Sequence, residues 1–151
     1  MKAFLDTSVL VATFCGEHEQ HEASFQLFVR HKKTTACTAA HYLAEVYSVL
    51  TGMRGKDRAS PDEALLFLGN VVERLAIVAL NEGEYFRVIE EAAGNGMCGG
   101  AIFDAVIARC AVKAKAEAIY TWDLKHFNRL DENVASRART PSTARSAPPP
   151  M

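Results

Sequence analysis

Four carboxylates stand where carboxylates are costly. Asp6 closes the apolar run of "KAFLDTSVL" (2–10) and Asp123 closes that of "AIYTWDLKHF" (118–127), so two segments that read as buried strands each end in an aspartate. Glu45 sits in the middle of "AAHYLAEVYSVL" (39–50), and Asp104 lies in "GGAIFDAVIARCA" (99–111) between Phe103 and Ala105, Val106 and Ile107. Ionised side chains are rarely buried unless they are paired or bind a metal, because desolvating a charge is expensive. Each acid also has an ordinary structural alternative. Asp6 could cap the helix that follows, Asp123 could form an Asx-turn, Asp104 could favour a helix dipole from the first turn, and Glu45 could be a surface glutamate. Four such accidents together are less expected than any one. Two carboxylates about 5 Å apart repel by roughly 3 kcal/mol at an effective dielectric near 20, so a shared site would need protonation or a counter-charge.

The elements that must position these acids alternate along the chain. "AFL" (3–5) reads as a first strand, with a short helix starting near Thr7 or Ser8. "HEASFQLFVRH" (21–31) has Phe25, Leu27, Phe28 and Val29 at near-helical spacing, and "TTACT" (34–38) is a β-branched second strand. A helix over about 39–51 carries Leu43, Val46, Tyr47 and Leu50 as its apolar stripe and ends at Gly52. "SPDEALLFLGNVVERL" (60–75) opens with Ser60 as N-cap, Pro61 at the first helical position and Glu63 placed for a capping box. "AIVAL" (76–80) is a third strand, followed by a helix over about 82–93 and a glycine-rich loop, "GNGMCGG" (94–100). A helix over 101–116 and a fourth strand, "AIYT" (118–121), complete the pattern. Strands alternating with helices predict an α/β sandwich on a mostly parallel sheet, in which ligands bind beyond the carboxyl ends of the strands. Asp6 and Asp123 both fall there. The apolar pattern fades after Leu130, so one folded domain is expected over residues 1–133 and a disordered Pro/Ser/Ala tail over 134–151.

Composition limits the alternatives. The 151 residues are 49% hydrophobic and 23% charged, ordinary for one globular domain with a full core. No apolar run approaches the ~20 residues that span a bilayer, and Asp6 interrupts the N-terminus too early for a secretory leader. Cys15, Cys37, Cys98 and Cys110 lie 22, 61 and 12 residues apart, without metal-ligand spacing, and Cys37 and Cys110 read as reduced core thiols. A cytoplasmic setting is expected. The net charge of −1 does not advertise a nucleic-acid partner, although "RHKK" (30–33), "RGKDR" (54–58), and Lys125 and Arg129 beside Asp123 are locally basic. "HEQH" (18–21) reads as a polar helix start rather than a zinc motif, and His41 and His126 have no partner at diagnostic spacing.

Taken in order, "FLDTSVL" (4–10), "LAEVYSVLT" (43–51), "FDAVIARCA" (103–111) and "YTWDLKHFNRL" (120–130) resemble the PIN domain, and within it the VapC-like toxin ribonucleases of bacterial toxin–antitoxin pairs. The resemblance runs from Met1 to about Leu130 and implies a three-layer sandwich with helices flanking a mostly parallel sheet. It implies that Asp6, Glu45, Asp104 and Asp123 are the catalytic, metal-binding set, with Thr7, Ser8 and Thr121 as small polar residues around them. Asp6 and Asp104 would be the principal ligands, Asp123 a ligand through water, and Glu45 a ligand of a second ion or a guide for attacking water. Mg²⁺, with Mn²⁺ as a substitute, suits such a set, because it takes oxygen ligands and is held by few carboxylates plus phosphate oxygens. The implied activity is endonucleolytic cleavage of RNA to a 5′-phosphate and a 3′-hydroxyl. The implied partners are RNA, a cognate antitoxin and a second copy of the chain. A housekeeping PIN nuclease and a non-catalytic PIN-like binding module are the alternatives. A phosphotransfer receiver domain would want an acidic pair at the first strand, where Asp6 is alone. A D-x-D hydrolase would want an acid in place of Ser8.

Overall fold

The computed structural model describes residues 2–142. Strand β1 (Ala3–Leu5) runs directly into helix α1 (Thr7–Phe14), and helix α2 (His21–Arg30) leads to β2 (Ala36–Ala39) and α3 (Ala40–Gly52). Helix α4 (Pro61–Arg74), strand β3 (Ala76–Val78), α5 (Glu82–Gly94) and α6 (Ala101–Lys113) follow. The chain then forms β4 (Ala118–Tyr120), α7 (Leu124–Asn128), α8 (Glu132–Ala135) and β5 (Ala138–Arg139). All strand pairs are parallel, in the order β3-β2-β1-β4-β5. β1 is the middle strand, buried along its whole length, which is why it reads as an unbroken apolar run.

Alternation along β1 divides the core. Ala3 and Leu5 face a cluster containing Val9, Leu10, Leu27, Val46, Leu50, Phe67 and Val71, so α1 to α4 cover that side. Phe4 faces the other way, onto Val88, Val106, Ile107, Cys110, Ile119, Phe127 and Val134, drawn from α5 to α8 and β4. The result is the expected three-layer sandwich. Ser60 and Glu63 form the expected capping box at the start of α4, with bonds of 3.1 and 3.0 Å, and Asn81 and Glu84 form a second one on α5. Cys37 and Cys110 are buried free thiols, both pushed up to about 11 by burial. No helix among the described residues is long and apolar enough to cross a membrane.

Three expectations change. The inward face of α3 is Tyr42, Val46 and Leu50, one side chain per turn, which leaves Tyr47 exposed. On α2, Leu27 and Phe28 are buried while Phe25 and Val29 are exposed, and the buried Ser24 accepts a 2.8 Å bond from Trp122 Nε1. The third difference is the expected boundary at residue 133, which falls inside α8. Beyond it Val134 is buried, Arg137 donates to the Ala116 carbonyl at 2.9 Å, and β5 adds a fifth strand beside β4. A four-residue helix and a two-residue strand are too short to show a hydrophobic period. The expected disorder of residues 143–151 lies outside the described residues.

Truncation after residue 133 tests the extended boundary. The shortened chain loses Val134 from the core and leaves one edge of β4 unpaired, so it should be less stable than the full chain by at least about 2 kcal/mol in urea. Equal midpoints would place the boundary at 133.

Candidate active site

Strand order reverses between β1 and β4, because the chain leaves β1 toward β2 and β4 toward β5. Such a switch point opens a crevice at the carboxyl ends of the two strands. Leu5 pairs with Tyr120, so Asp6 emerges opposite Thr121, and the Asp6 amide donates to the Tyr120 carbonyl at 3.0 Å.

Asp6 is only 8% exposed. Its Oδ2 accepts from Ser8 Oγ at 2.8 Å, from Thr121 Oγ1 at 2.8 Å and, more weakly, from the Ser8 amide at 3.4 Å. The last contact makes Asp6 the N-cap of α1, the structural role expected as its alternative. The hydroxyls are themselves held: Trp122 N donates to Ser8 Oγ and Asp123 N to Thr121 Oγ1, each at 2.9 Å. Asp123 caps α7 by accepting from the His126 amide at 3.2 Å. Asp104 lies in the first turn of α6, and its Oδ1 is 2.9 Å from His126 Nε2. Glu45 projects from α3 with Oε2 3.7 Å from His41 Nε2.

All four acids line one cavity of about 440 Å³, together with Thr7, Ser8, Tyr42, Phe103, Trp122 and three imidazoles, His18, His41 and His126. The carboxyl of Glu45 is raised above its ordinary range, first by desolvation and then by the Asp6 charge, against the pull of His41, Thr7 and His126. Tyr42 is shifted strongly upward by burial first, then by the Asp6 carboxylate it faces, and by Glu45 and Asp104. Three acids from three separate elements therefore act on one phenol. Asp123 shares the cavity wall.

Oxygen donors surround the space, as a hard divalent cation requires. Thr7 Oγ1 is buried without a hydrogen-bond partner of good geometry, although the hydroxyl is near enough to Glu45 to lower its pKa. Among the described residues no three acidic, thiol or imidazole groups are drawn together tightly enough to ligate one ion unaided. A hard divalent ion takes few carboxylates and completes its shell with water and phosphate oxygens. Asp6, Glu45, Asp104 and Asp123 could hold it.

The basic residues sit elsewhere. Neither Lys125 nor Arg129 lines the cavity, and Arg129 borders a separate depression with Arg109 and Asp131. Lys56 and Arg58, from the 54–58 loop, border a depression that meets the acidic cavity at His18. The pair in "HEQH" is divided: His18 faces the cavity, while His21 Nδ1 lies 2.9 Å from the Ala12 carbonyl. His41 and His126 are the site residues that spacing did not single out. In hindsight each has a local sign, since His41 precedes Glu45 by one helical turn and His126 follows Asp123 within the capped turn.

A wholly parallel α/β sandwich with acids gathered at its switch point is the architecture of a PIN domain. The chain belongs to that family, which it matches over residues 3–133. It is 34% identical over 120 residues to Ribonuclease VapC40 of Mycobacterium tuberculosis, covering 80% of this chain and 85% of that protein. Its fold resembles that of Mycobacterium tuberculosis VapC20, a Sarcin-Ricin loop cleaving toxin, with a TM-score of 0.64 and 16% identity over 83% of this chain and 92% of the other. It also resembles VapBC2 of Rickettsia felis, solved with a DNA fragment from its promoter, with a TM-score of 0.62 and 18% identity over 94% of this chain and 100% of the other.

The raised carboxyl of Glu45 carries a pH signature. A glutamate that binds its proton more tightly in the fold than in the unfolded chain destabilises the fold once ionised. Glu45→Gln should therefore be more stable than wild type in chelator at neutral pH. The gain should shrink as pH falls through the raised value and vanish below the unfolded value of about 4.3. Urea midpoints across that range check it, and a variant less stable than wild type at neutral pH would reverse the sign.

Proposed function

We propose that this chain is a divalent-metal-dependent endoribonuclease that cleaves RNA phosphodiester bonds and serves as the toxin of a toxin–antitoxin pair. The observation that carries the proposal is that Asp6, Glu45, Asp104 and Asp123, from four separate stretches of the chain, line one cavity at the carboxyl ends of β1 and β4. Kinship with a protein named as a ribonuclease supports the reaction class. Fold neighbours solved as toxin–antitoxin assemblies support an antitoxin as partner. The metal is Mg²⁺, with Mn²⁺ as a substitute, and the setting is the cytoplasm. A second copy of the chain and an RNA substrate complete the partners.

Asp6 and Asp104 would hold the ion, Asp123 would reach it through water, and Glu45 would orient the attacking water or hold a second ion. When bound, the metal neutralises the acids, polarises a phosphoryl oxygen and makes water a stronger nucleophile. The chain's own contribution is position. Ser8 and Thr121 fix Oδ2 of Asp6, so the carboxylate cannot swing away. Glu45, with its raised proton affinity, suits the uptake of a proton from water at its carboxylate. His126 fixes the rotamer of Asp104 through Oδ1. The products are a 5′-phosphate and a 3′-hydroxyl.

Purified protein free of antitoxin should cut a structured RNA with Mg²⁺ or Mn²⁺ and stop in chelator, with Asp6→Asn as the inactive control. Its expression should arrest bacterial growth, and Asp104→Ala should relieve the arrest. Undiminished cutting in chelator would sink the metal mechanism. Normal growth with abundant soluble wild type, alongside RNA cleavage, would favour a housekeeping nuclease, and without cleavage a binding module.

Melting curves test Asp104 itself. Removing one of several crowded charges, Asp104→Asn should melt at or above wild type in chelator. Mg²⁺ at about a hundred times its Kd should stabilise wild type by roughly 2.7 kcal/mol and the variant by less. A variant that melts lower in chelator, yet gains as much from Mg²⁺, would return Asp104 to the role of a dipole-stabilising acid.

A further inference from the structure

The acidic cavity contains an aromatic surface that the metal chemistry does not use. Phe103, next to Asp104 on α6, is 59% exposed, whereas Val106, Ile107 and Cys110 further along the helix are buried. Its ring lies parallel to the imidazole of His41 on α3, with centroids 5.9 Å apart and an interplanar angle of 11°. Both rings line the same cavity as the four acids. This is an offset stack formed across two elements, and such geometry is favourable between aromatic rings.

We propose that Phe103, backed by His41, is a stacking platform for one unpaired nucleobase next to the scissile phosphate. The proposal rests on the nuclease reading of the site and narrows its substrate to RNA that is single-stranded or splayed at the cut. A nucleobase is the ligand this surface fits, for an electrostatic reason. Among the described residues no lysine or arginine lines the cavity, so those walls do not themselves attract a phosphate chain. A base is neutral, has a π-face whatever its identity, and gains from an aromatic surface without a counter-charge. Bases held in a duplex cannot reach such a surface, whereas loop and bulge bases can be splayed onto it. Phe103 therefore contacts substrate, and His41 is a positioning residue that keeps the ring in place.

The test uses a short single-stranded RNA carrying 2-aminopurine at successive positions, and the same sequence in a duplex. Binding is read with Mg²⁺ in the cleavage-dead Asp6→Asn protein, with and without Phe103→Ala, and cleavage is read with Phe103→Ala alone. We expect Phe103→Ala to lower affinity for the single strand by roughly 5- to 150-fold, the equivalent of about 1–3 kcal/mol for one stacked base. Duplex binding should be little changed, and fluorescence quenching at one position should disappear. Phe103→Tyr should restore the loss, and the melting gain from Mg²⁺ should match wild type. Equal single-strand binding and cleavage by Phe103→Ala, or equal losses on both RNAs, would overturn the platform while leaving the nuclease intact. A changed oligomeric state in light scattering would also overturn it and make Phe103 a protein contact. Wild type that neither binds nor cuts RNA would remove the nuclease reading and the platform together.

Discussion

A carboxylate with 8% of its surface in water needs hydrogen-bond donors, and the arrangement of the sheet supplies them to Asp6. Thr121 can donate to it only because β4 lies beside β1 in the register that pairs Leu5 with Tyr120. Ser8 can donate only because α1 begins without a linker, which turns its first residues back over the end of the strand. The bonds continue outward from there. Trp122 N holds the Ser8 hydroxyl, and Trp122 Nε1 reaches Ser24 on α2, so a helix distant in sequence is tied to the same strand ends. Strand order, helix start and a buried polar network thus satisfy one acid. Shifting the β1–β4 register by one residue would strand it without its partners.

The remaining acids are held more loosely, and that difference has chemical sense. Glu45 and Asp104 come from helices on opposite sides of the crevice, and each meets a histidine rather than a lysine or arginine. A guanidinium or ammonium would remain charged at any physiological pH and would occupy the carboxylate permanently. In that cavity the carboxyl of Glu45 is raised, first by desolvation and then by the Asp6 charge, and the phenol of Tyr42 is raised strongly by burial and then by the neighbouring acids. Such crowding costs stability and is the kind of local cost that sites retain for function.

Much of this was legible in the sequence, for identifiable reasons. Strands buried on both faces appear as unbroken apolar runs, so "AFL" and "AIYT" stood out, and an acid at the end of each was conspicuous against that background. Helix α4 announced itself through Ser60, Pro61 and Glu63, a start signal that depends only on neighbouring residues. What escaped depends on tertiary partners. His126 gains meaning only when α7 is placed against α6, and His41 only when Phe103 arrives from sixty-odd positions away along the chain. Tyr42 and Tyr47 are equally apolar on a helical wheel, and packing against Phe4 selects the first. Strand β5 is two residues long and carries an arginine, so no periodicity could reveal it. Lys125 and Arg129 follow Asp123 within six residues yet do not line the cavity, although His126 between them does.

The same separation of charges bears on how a polyanion could approach. Four acids line the cavity wall and, among the described residues, no lysine or arginine does, so the wall itself repels phosphate, and a net charge of −1 offers no general attraction. Attraction must then be local and lateral. Lys56 and Arg58 border a depression that joins the acidic cavity at His18, so a phosphate chain lying along that border could place its next linkage over the acids. Screening confines such attraction to about 8–10 Å at physiological salt, which favours basic groups beside the site over those on the far side of the domain. Charge recognition and bond cleavage would thus use adjacent surfaces. On the proposed reading, the carboxylates would then be left to the metal, with the basic loop beside them.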